Sequence, residues 1–78
     1  MTHMDDYIGK VASVSRGSNQ GRLGIIKRID HTYSRGHHIY TYVVRFPDGA
    51  TARVKGSHVN VIKFPSAEQV ARATKGSV

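Results

Sequence analysis

The fold is decided by residues 16–26, which read RGSNQGRLGII and contain Gly17, Gly21 and Gly24. An apolar segment, residues 8–14, precedes this stretch, and an apolar and basic segment, residues 23–29, follows it. Glycine is favoured where the backbone takes a positive φ or where another segment approaches closely. The pattern therefore predicts two strands joined by a tight loop over residues 16–22, with the three glycines as structural residues.

Alternating apolar and polar residues predict further strands downstream. Tyr40, Tyr42, Val44 and Phe46 fall on one face of a strand and form a candidate core face. The following Pro-Asp-Gly at 47–49 is typical of a hairpin turn. We predict strands over 8–15, 23–31, 39–46, 50–54 and 59–64, a polar connection over 32–38, and a single tight turn, 3₁₀ in type, over 55–58.

The end of the chain carries a helix signal. Ser66 and Gln69 have the spacing of a capping box, which predicts a short helix from Ser66 to about Lys75, or a tail if that helix does not dock. We expect residues 1–6 to be a flexible segment in which 1–3 are an expression remnant ahead of a natural start at Met4. The predicted organisation is this segment, a barrel over 7–65, and a helix or tail over 66–78.

The length and strand pattern define the fold class. Five short strands in 78 residues predict an all-β domain, and we expect a small five-stranded antiparallel barrel, since closing the sheet limits its exposed edges. A domain of this size buries only about 60% of the surface of its unfolded chain. A deep substrate cavity is therefore not expected.

The charge of the chain indicates a class of partner. Between Tyr7 and Pro65 there are ten lysines and arginines against only Asp30 and Asp48, a net charge of +8. Such an imbalance favours polyanions, chiefly nucleic acid, although basic residues also solubilise small proteins. We therefore expect a nucleic-acid partner.

Other classes of protein are disfavoured by what the sequence lacks. Without cysteine it offers neither a disulfide nor a thiolate metal site, which is typical of a reducing compartment. No apolar run approaches the roughly 18 residues of a membrane span, and no signal-peptide pattern opens the chain. We expect a cytoplasmic monomer, or a nuclear one in a eukaryote, with no membrane, cofactor or small-molecule substrate.

Basic residues surround the glycine-containing loop. Arg16 and Arg22 flank it, and Lys27 and Arg28 follow on the next strand. Our hypothesis is that they contact phosphates as one patch together with Arg35 and Lys10; the alternative is a solvated basic face. The predicted nucleic-acid-binding residues are Lys10, Arg16, Asn19, Arg22, Lys27, Arg28, Tyr33 and Arg35.

Aromatic residues offer a second kind of contact. Tyrosines stack on unpaired bases in other small barrels. Tyr40 and Tyr42 share a face with core residues, so we assign at least one of them to the core. Tyr33, on the predicted connection beside His31, is the better candidate for stacking.

The histidines and hydroxyl residues do not predict a metal or catalytic site. His37 and His38 are adjacent, so in a strand they point to opposite faces, and no carboxylate or cysteine completes a ligand set with them and His31. We interpret these histidines as polar residues that can contact phosphate when they are protonated. No spacing brings a nucleophile, base and orienting acid together, so we predict no catalytic residues.

The sequence around the glycine-containing loop resembles a known family. The loop and its flanks resemble the KOW motif, most closely the KOW region near the C-terminus of an archaeal and eukaryotic small-subunit ribosomal protein. Its Gly-x-Asn-x-Gly-Arg-x-Gly string is similar to residues 17–24 here. The likeness rests on Val11, Val14, Gly17, Gly21, Gly24 and Ile26, and continues through residues 43–45, 48–49, 51–53 and 59–62.

The resemblance carries its own expectations. KOW domains are SH3-like barrels of ribosomal proteins and NusG-like transcription elongation factors, where they bind RNA, DNA or protein. It thus implies a non-enzymatic SH3-like module, with RNA favoured over DNA, in a ribonucleoprotein or transcription complex. The alternatives are a protein-interaction barrel that docks on a larger assembly and a duplex-DNA-binding domain.

Overall fold

All five predicted strands and the C-terminal helix are present in the computed structural model, which describes residues 6–74. A 3₁₀ turn, Gly56–His58, lies where the sequence predicts a tight turn. Residues 1–5 of the predicted flexible segment 1–6 lie outside the described residues, as do residues 75–78 with the predicted helix end at Lys75. The elements are β1 (Val11–Val14), β2 (Leu23–Ser34), β3 (His37–Arg45), β4 (Thr51–Lys55), β5 (Val59–Val61) and α1 (Ala67–Thr74).

The strands form one antiparallel sheet in the order β4-β3-β2-β1-β5. The all-β class and the five antiparallel strands are therefore confirmed. Within residues 6–74, β4 and β5 occupy the two ends of this order and do not pair with each other, so the sheet is not closed.

The longest strand, β2, belongs to both halves of the sheet. Its first residues pair with β1 on one side and β3 on the other, and its last residues pair with β3 alone. Between Ile26 and Arg28 the register shifts, which leaves Lys27 as an extra residue. Such a bulge increases the local twist of a strand and redirects the chain beyond it.

The predicted polar connection over residues 32–38 is wrong, because β2 and β3 continue through it as a hairpin. Ser34 pairs with His37, which leaves a two-residue turn of Arg35 and Gly36 with φ values of 51° and 78°. Positive φ at both central residues is the geometry of a type I′ turn, whose twist matches that of paired strands. Aromatic and β-branched residues on both strands favour their extension to this turn.

Strands β1 and β5 are shorter than predicted. β1 begins at Val11 rather than Ile8, because the backbone turns at Ile8 and Gly9 before entering the sheet. β5 ends at Val61, where its pairing with Ala12 ends, and Phe64 beyond it is 92% exposed.

The main core lies on one face of the sheet. Tyr42, Val44 and Phe46 are buried there as predicted, and Tyr40 packs half-buried at the margin. Burial raises the pKa of the Tyr42 hydroxyl above its ordinary value. The buried residues of this cluster are Ala12, Val14, Ile26, Tyr42, Val44, Phe46 and Val54.

Helix α1 covers the other face of β1 and β2. Its Ala73 is buried in a second cluster with Val11 and Leu23. The predicted capping box is confirmed: the Gln69 backbone N–H donates to Ser66 Oγ at 3.2 Å, and the Ser66 backbone N–H donates to Gln69 Oε1 at 2.9 Å. Within residues 6–74 no helix is long and apolar enough to cross a membrane.

Gly24 allows β2 and β3 to pack closely at the centre of the core. A Cβ atom at this position would lie 2.6 Å from the Arg45 carbonyl oxygen, 2.6 Å from Val44 Cγ1 and 3.1 Å from the Phe46 ring. Atoms cannot approach so closely, and one of the obstacles is backbone. The glycine is therefore required by packing.

We predict that Gly24→Ala destabilises the domain by about 3 kcal/mol or more, since the added methyl group must displace backbone in a filled core. Gly36→Ala is the control, because its Cβ meets nothing within 4 Å and the substitution adds only the left-handed strain of about 1–2 kcal/mol. Urea unfolding of both variants measures the difference. If Gly24→Ala lowers the free energy of unfolding by the same amount as Gly36→Ala, or by less, the packing role of Gly24 is contradicted.

Candidate functional site

The loop over residues 16–22 is held in place by its own backbone and by β1. The N–H of Gln20 donates to the carbonyl of Gly17, and the N–H of Gly21 donates to the carbonyl of Val14 at 2.8 Å. Gly17 and Gly21 both have positive φ, of 94° and 86°. The loop is therefore a defined turn, and it presents the exposed side chain of Arg16 at its start.

Arg22, at the other end of the loop, is engaged within the protein. Its Nη2 lies 3.0 Å from Asp48 Oδ2, and its Nη1 donates to Asn19 Oδ1 at 3.2 Å. The guanidinium carbon lies 4.1 Å from the centroid of the Phe46 ring, a cation–π geometry. Arg22 and Asn19 are both predicted to bind nucleic acid. In the structure their side chains are engaged in intramolecular contacts that fix the loop to the β3–β4 turn.

Asp48 links this turn to the loop. The backbone N–H of Ala50 donates to Asp48 Oδ1 at 2.9 Å, while Arg22 contacts the other oxygen. The Ala50 hydrogen bond, followed by that of Arg22, holds the pKa of the Asp48 carboxyl below its ordinary value.

A shallow groove, here termed the basic groove, runs between the loop and β4. Arg16 and Ser18 line it from the loop, Arg53 and Lys55 from β4, and His58 from the 3₁₀ turn. No acidic residue is among its lining residues within the described chain. The backbone N–H of Ser15, next to Arg16, donates to the His58 carbonyl at 2.8 Å and ties the start of the loop to the 3₁₀ turn.

Beside the groove, the outer face of the sheet carries an ion-pair network. Arg28 and Arg53 lie on either side of Val43 in the strand register. Asp30 joins them: Arg28 Nε lies 3.0 Å from Asp30 Oδ1, and Arg53 Nη1 lies 2.9 Å from Asp30 Oδ2. The hydrogen bond from Arg28, with that from Arg53, lowers the pKa of the Asp30 carboxyl. One carboxylate neutralises two guanidinium groups only in part, so this face remains positive.

The predicted residues do not form one patch. Arg16 lies in the basic groove, but Arg35 lies at the tip of the β2–β3 hairpin, at the opposite end of β2 from Arg22. Lys27 sits at the bulge, beside the depression between β3 and the end of α1. Lys10 lies near Lys63, around another depression. The length of β2 thus separates Arg35 from the loop, and the binding role of each residue stays a prediction.

The sequence interpretation missed Arg53, Lys55 and His58. The alternation of residues 51–55, TARVK, does place Arg53 and Lys55 opposite the core residues Ala52 and Val54. Their proximity to Arg16 depends on long-range strand order, which the local pattern does not contain.

Tyr33 is exposed as predicted for a stacking residue, with 63% of its surface accessible, but it lies on β2 rather than in a loop. His38 pairs with Tyr33 and His37 with Ser34, so the two histidines point to opposite faces as predicted. Across residues 6–74, no group of three or more His, Cys, Asp or Glu side chains is placed to hold a metal ion.

Comparisons of the chain with protein-family models, with curated proteins and with solved structures found no match.

We predict that Arg22→Ala lowers the thermal stability of the domain whereas Arg16→Ala does not. Arg22 loses its contact with Phe46, worth about 1 kcal/mol and hence a Tm decrease of about 4–8 °C in a domain of this size. Arg16 is an exposed loop residue and serves as the matched control. Thermal unfolding followed by circular dichroism measures both, and equal Tm values for the two variants would contradict the structural role of Arg22.

Stability should also fall in acid. The pKa values of Asp30 and Asp48 are lowered by folding, so their contribution is present above the unfolded value of about 4 and is lost as the pH falls through the folded values. Tm measured between pH 7 and pH 2 should therefore drop below about pH 4. Asp48→Asn should make this drop shallower, and a pH profile identical to that of the wild type would contradict the assignment.

Proposed function

We propose that this chain is a non-enzymatic nucleic-acid-binding module, with RNA as the favoured ligand, that contacts the phosphate backbone through the basic groove. The observation that carries the proposal is the convergence of Arg16, Arg53 and Lys55 on one groove whose lining contains no acidic residue among the described residues. A phosphate in such a groove meets cations from two separate elements, which fix its position as well as its charge.

The groove favours a polyanion over a peptide. Guanidinium groups form directed hydrogen bonds to phosphate oxygens, and the lysine adds a mobile point charge. Asp30 competes for Arg53 but is shared with Arg28, so it supplies one negative charge to two cations. Contacts of this kind carry no sequence information, so we expect binding that is weakly selective for sequence and strongly dependent on salt.

The arrangement of the sheet supports an SH3-like fold as part of this proposal. The strand order β4-β3-β2-β1-β5 has β2 shared between two halves and a 3₁₀ turn before β5. This arrangement is compatible with the KOW resemblance of the loop residues, which also favours RNA over DNA and a translation- or transcription-related complex. That preference is an analogy between folds and is tested by the choice of ligands below.

Paired charge-removal variants test the proposal. Arg16→Ala/Lys55→Ala removes two cations from the groove, while Lys63→Ala/Arg72→Ala removes two exposed cations that do not line it. Each is titrated against a fluorescent single-stranded RNA, a duplex RNA and a duplex DNA at several salt concentrations. We expect the groove variant to bind all three more weakly, with the slope of log K against log salt reduced by about 1 to 2.

The control variant should keep the slope of the wild type within about half a unit. Equal losses in the two variants would contradict the groove as the binding site. If the wild type binds no RNA or DNA at low salt, the proposal is wrong and a protein-interaction role takes its place.

A further inference from the structure

Four aromatic side chains lie on the core face of the sheet, in the part of the β2–β3 hairpin that extends beyond the buried core. In the β2–β3 hairpin, His31 pairs with Tyr40 and Tyr33 pairs with His38. All four side chains lie on the same face of the sheet as the buried Tyr42. His31, Tyr33 and His38 are exposed, and Tyr40 is half-buried against the core. The hairpin therefore presents a set of rings to solvent.

The two imidazole rings form one flat surface. His31 Nε2 lies 2.7 Å from His38 Nδ1, a hydrogen bond, while the ring centroids are 4.9 Å apart and the planes differ by 17°. Two rings stacked face to face cannot bring nitrogens this close, because stacked planes are separated by more than 2.7 Å. The rings therefore lie edge to edge, and together they have a broad planar face.

Tyrosines hold this pair of imidazoles in position. The Tyr40 ring is nearly parallel to that of His31, at 4.7 Å, and is 6.4 Å from that of His38, so it lies against the face of His31. Tyr33 meets His38 edge-on, with centroids 4.8 Å apart and planes at 66°. We call these four rings the hairpin platform. Tyr40 connects the platform to the core.

The hairpin platform is continuous with the basic groove. His38 and Tyr40 line a depression together with Lys55 and the start of the 3₁₀ turn. Lys55 also lines the basic groove, so one lysine lies between the platform and Arg16. A nucleic-acid strand with phosphates in the groove therefore has planar rings adjacent to its bases.

We propose that the hairpin platform stacks unpaired bases, which makes single-stranded RNA the ligand class of this domain; the inference rests on the proposed function. A base must be unpaired and unstacked to lay its face on a side chain, and aromatic stacking tolerates any base. The neighbouring cations hold the backbone while the rings hold the bases. The domain thus binds single strands more tightly than duplexes of equal charge.

The test compares His38→Ala with His37→Ala, an adjacent and exposed histidine that points to the opposite face. Each protein is titrated with a 12-nucleotide single-stranded RNA, with a duplex of the same sequence, and with an abasic oligonucleotide of equal length. We expect His38→Ala and Tyr33→Ala to weaken single-strand binding about 5- to 100-fold, with an unchanged salt slope. His37→Ala should have no effect.

Two further measurements separate stacking from other causes. On the abasic oligonucleotide, which keeps the phosphates, His38→Ala should bind like the wild type. His38→Phe keeps an aromatic ring without the hydrogen bond and should recover most of the single-strand affinity. Wild-type binding of His38→Ala to the abasic oligonucleotide also shows that this variant is folded.

Equal effects of His37→Ala and His38→Ala would overturn the inference, as would an abasic oligonucleotide that binds as tightly as the intact strand. In either case salt-dependent binding to the basic groove would remain, so the proposed function would survive. Absence of binding to every oligonucleotide, including the abasic one, would instead remove both proposals.

Discussion

The packing of the Phe46 ring against β2 at Gly24 is the contact on which the arrangement of the glycine loop depends. Because Gly24 has no side chain, the ring lies against the backbone of β2, where a Cβ would be only 3.1 Å away. Arg22, two residues earlier, then reaches over the same ring to Asp48. One close approach in the core thus fixes the loop to the turn after β3, while Arg16 at the other end of the loop remains exposed.

Much of the fold could be predicted because its signals are local. The alternation of Tyr42, Val44 and Phe46 identifies the core face, and Ser66 with Gln69 identifies the start of the helix. The extent of the β2–β3 hairpin could not be predicted in the same way. Its turn places Arg35 at a φ of 51°, a conformation that Asn or Gly usually signals and that arginine rarely adopts.

The candidate site was less predictable, because the sequence does not reveal which charges neutralise one another. Arg22 and Arg16 look equivalent in the sequence, yet Arg22 pairs with a carboxylate 26 residues away. Arg53 is not among the binding residues predicted from the sequence, yet strand pairing brings it to Asp30, 23 residues away, and β4 places it in the groove with Arg16. Such partnerships arise from strand order, and they decide which cations remain available to a ligand.

The position of β4 at one end of the sheet has a consequence for self-association. Within residues 6–74 one side of its backbone has no strand partner, so its peptide groups could template pairing with another copy. Exposed arginine and lysine on such an edge repel a second copy and oppose aggregation. Arg53 and Lys55 stand at that edge. Under the proposed function, a polyanion bound in the basic groove would neutralise this repulsion, so its addition should change the colloidal stability of the protein.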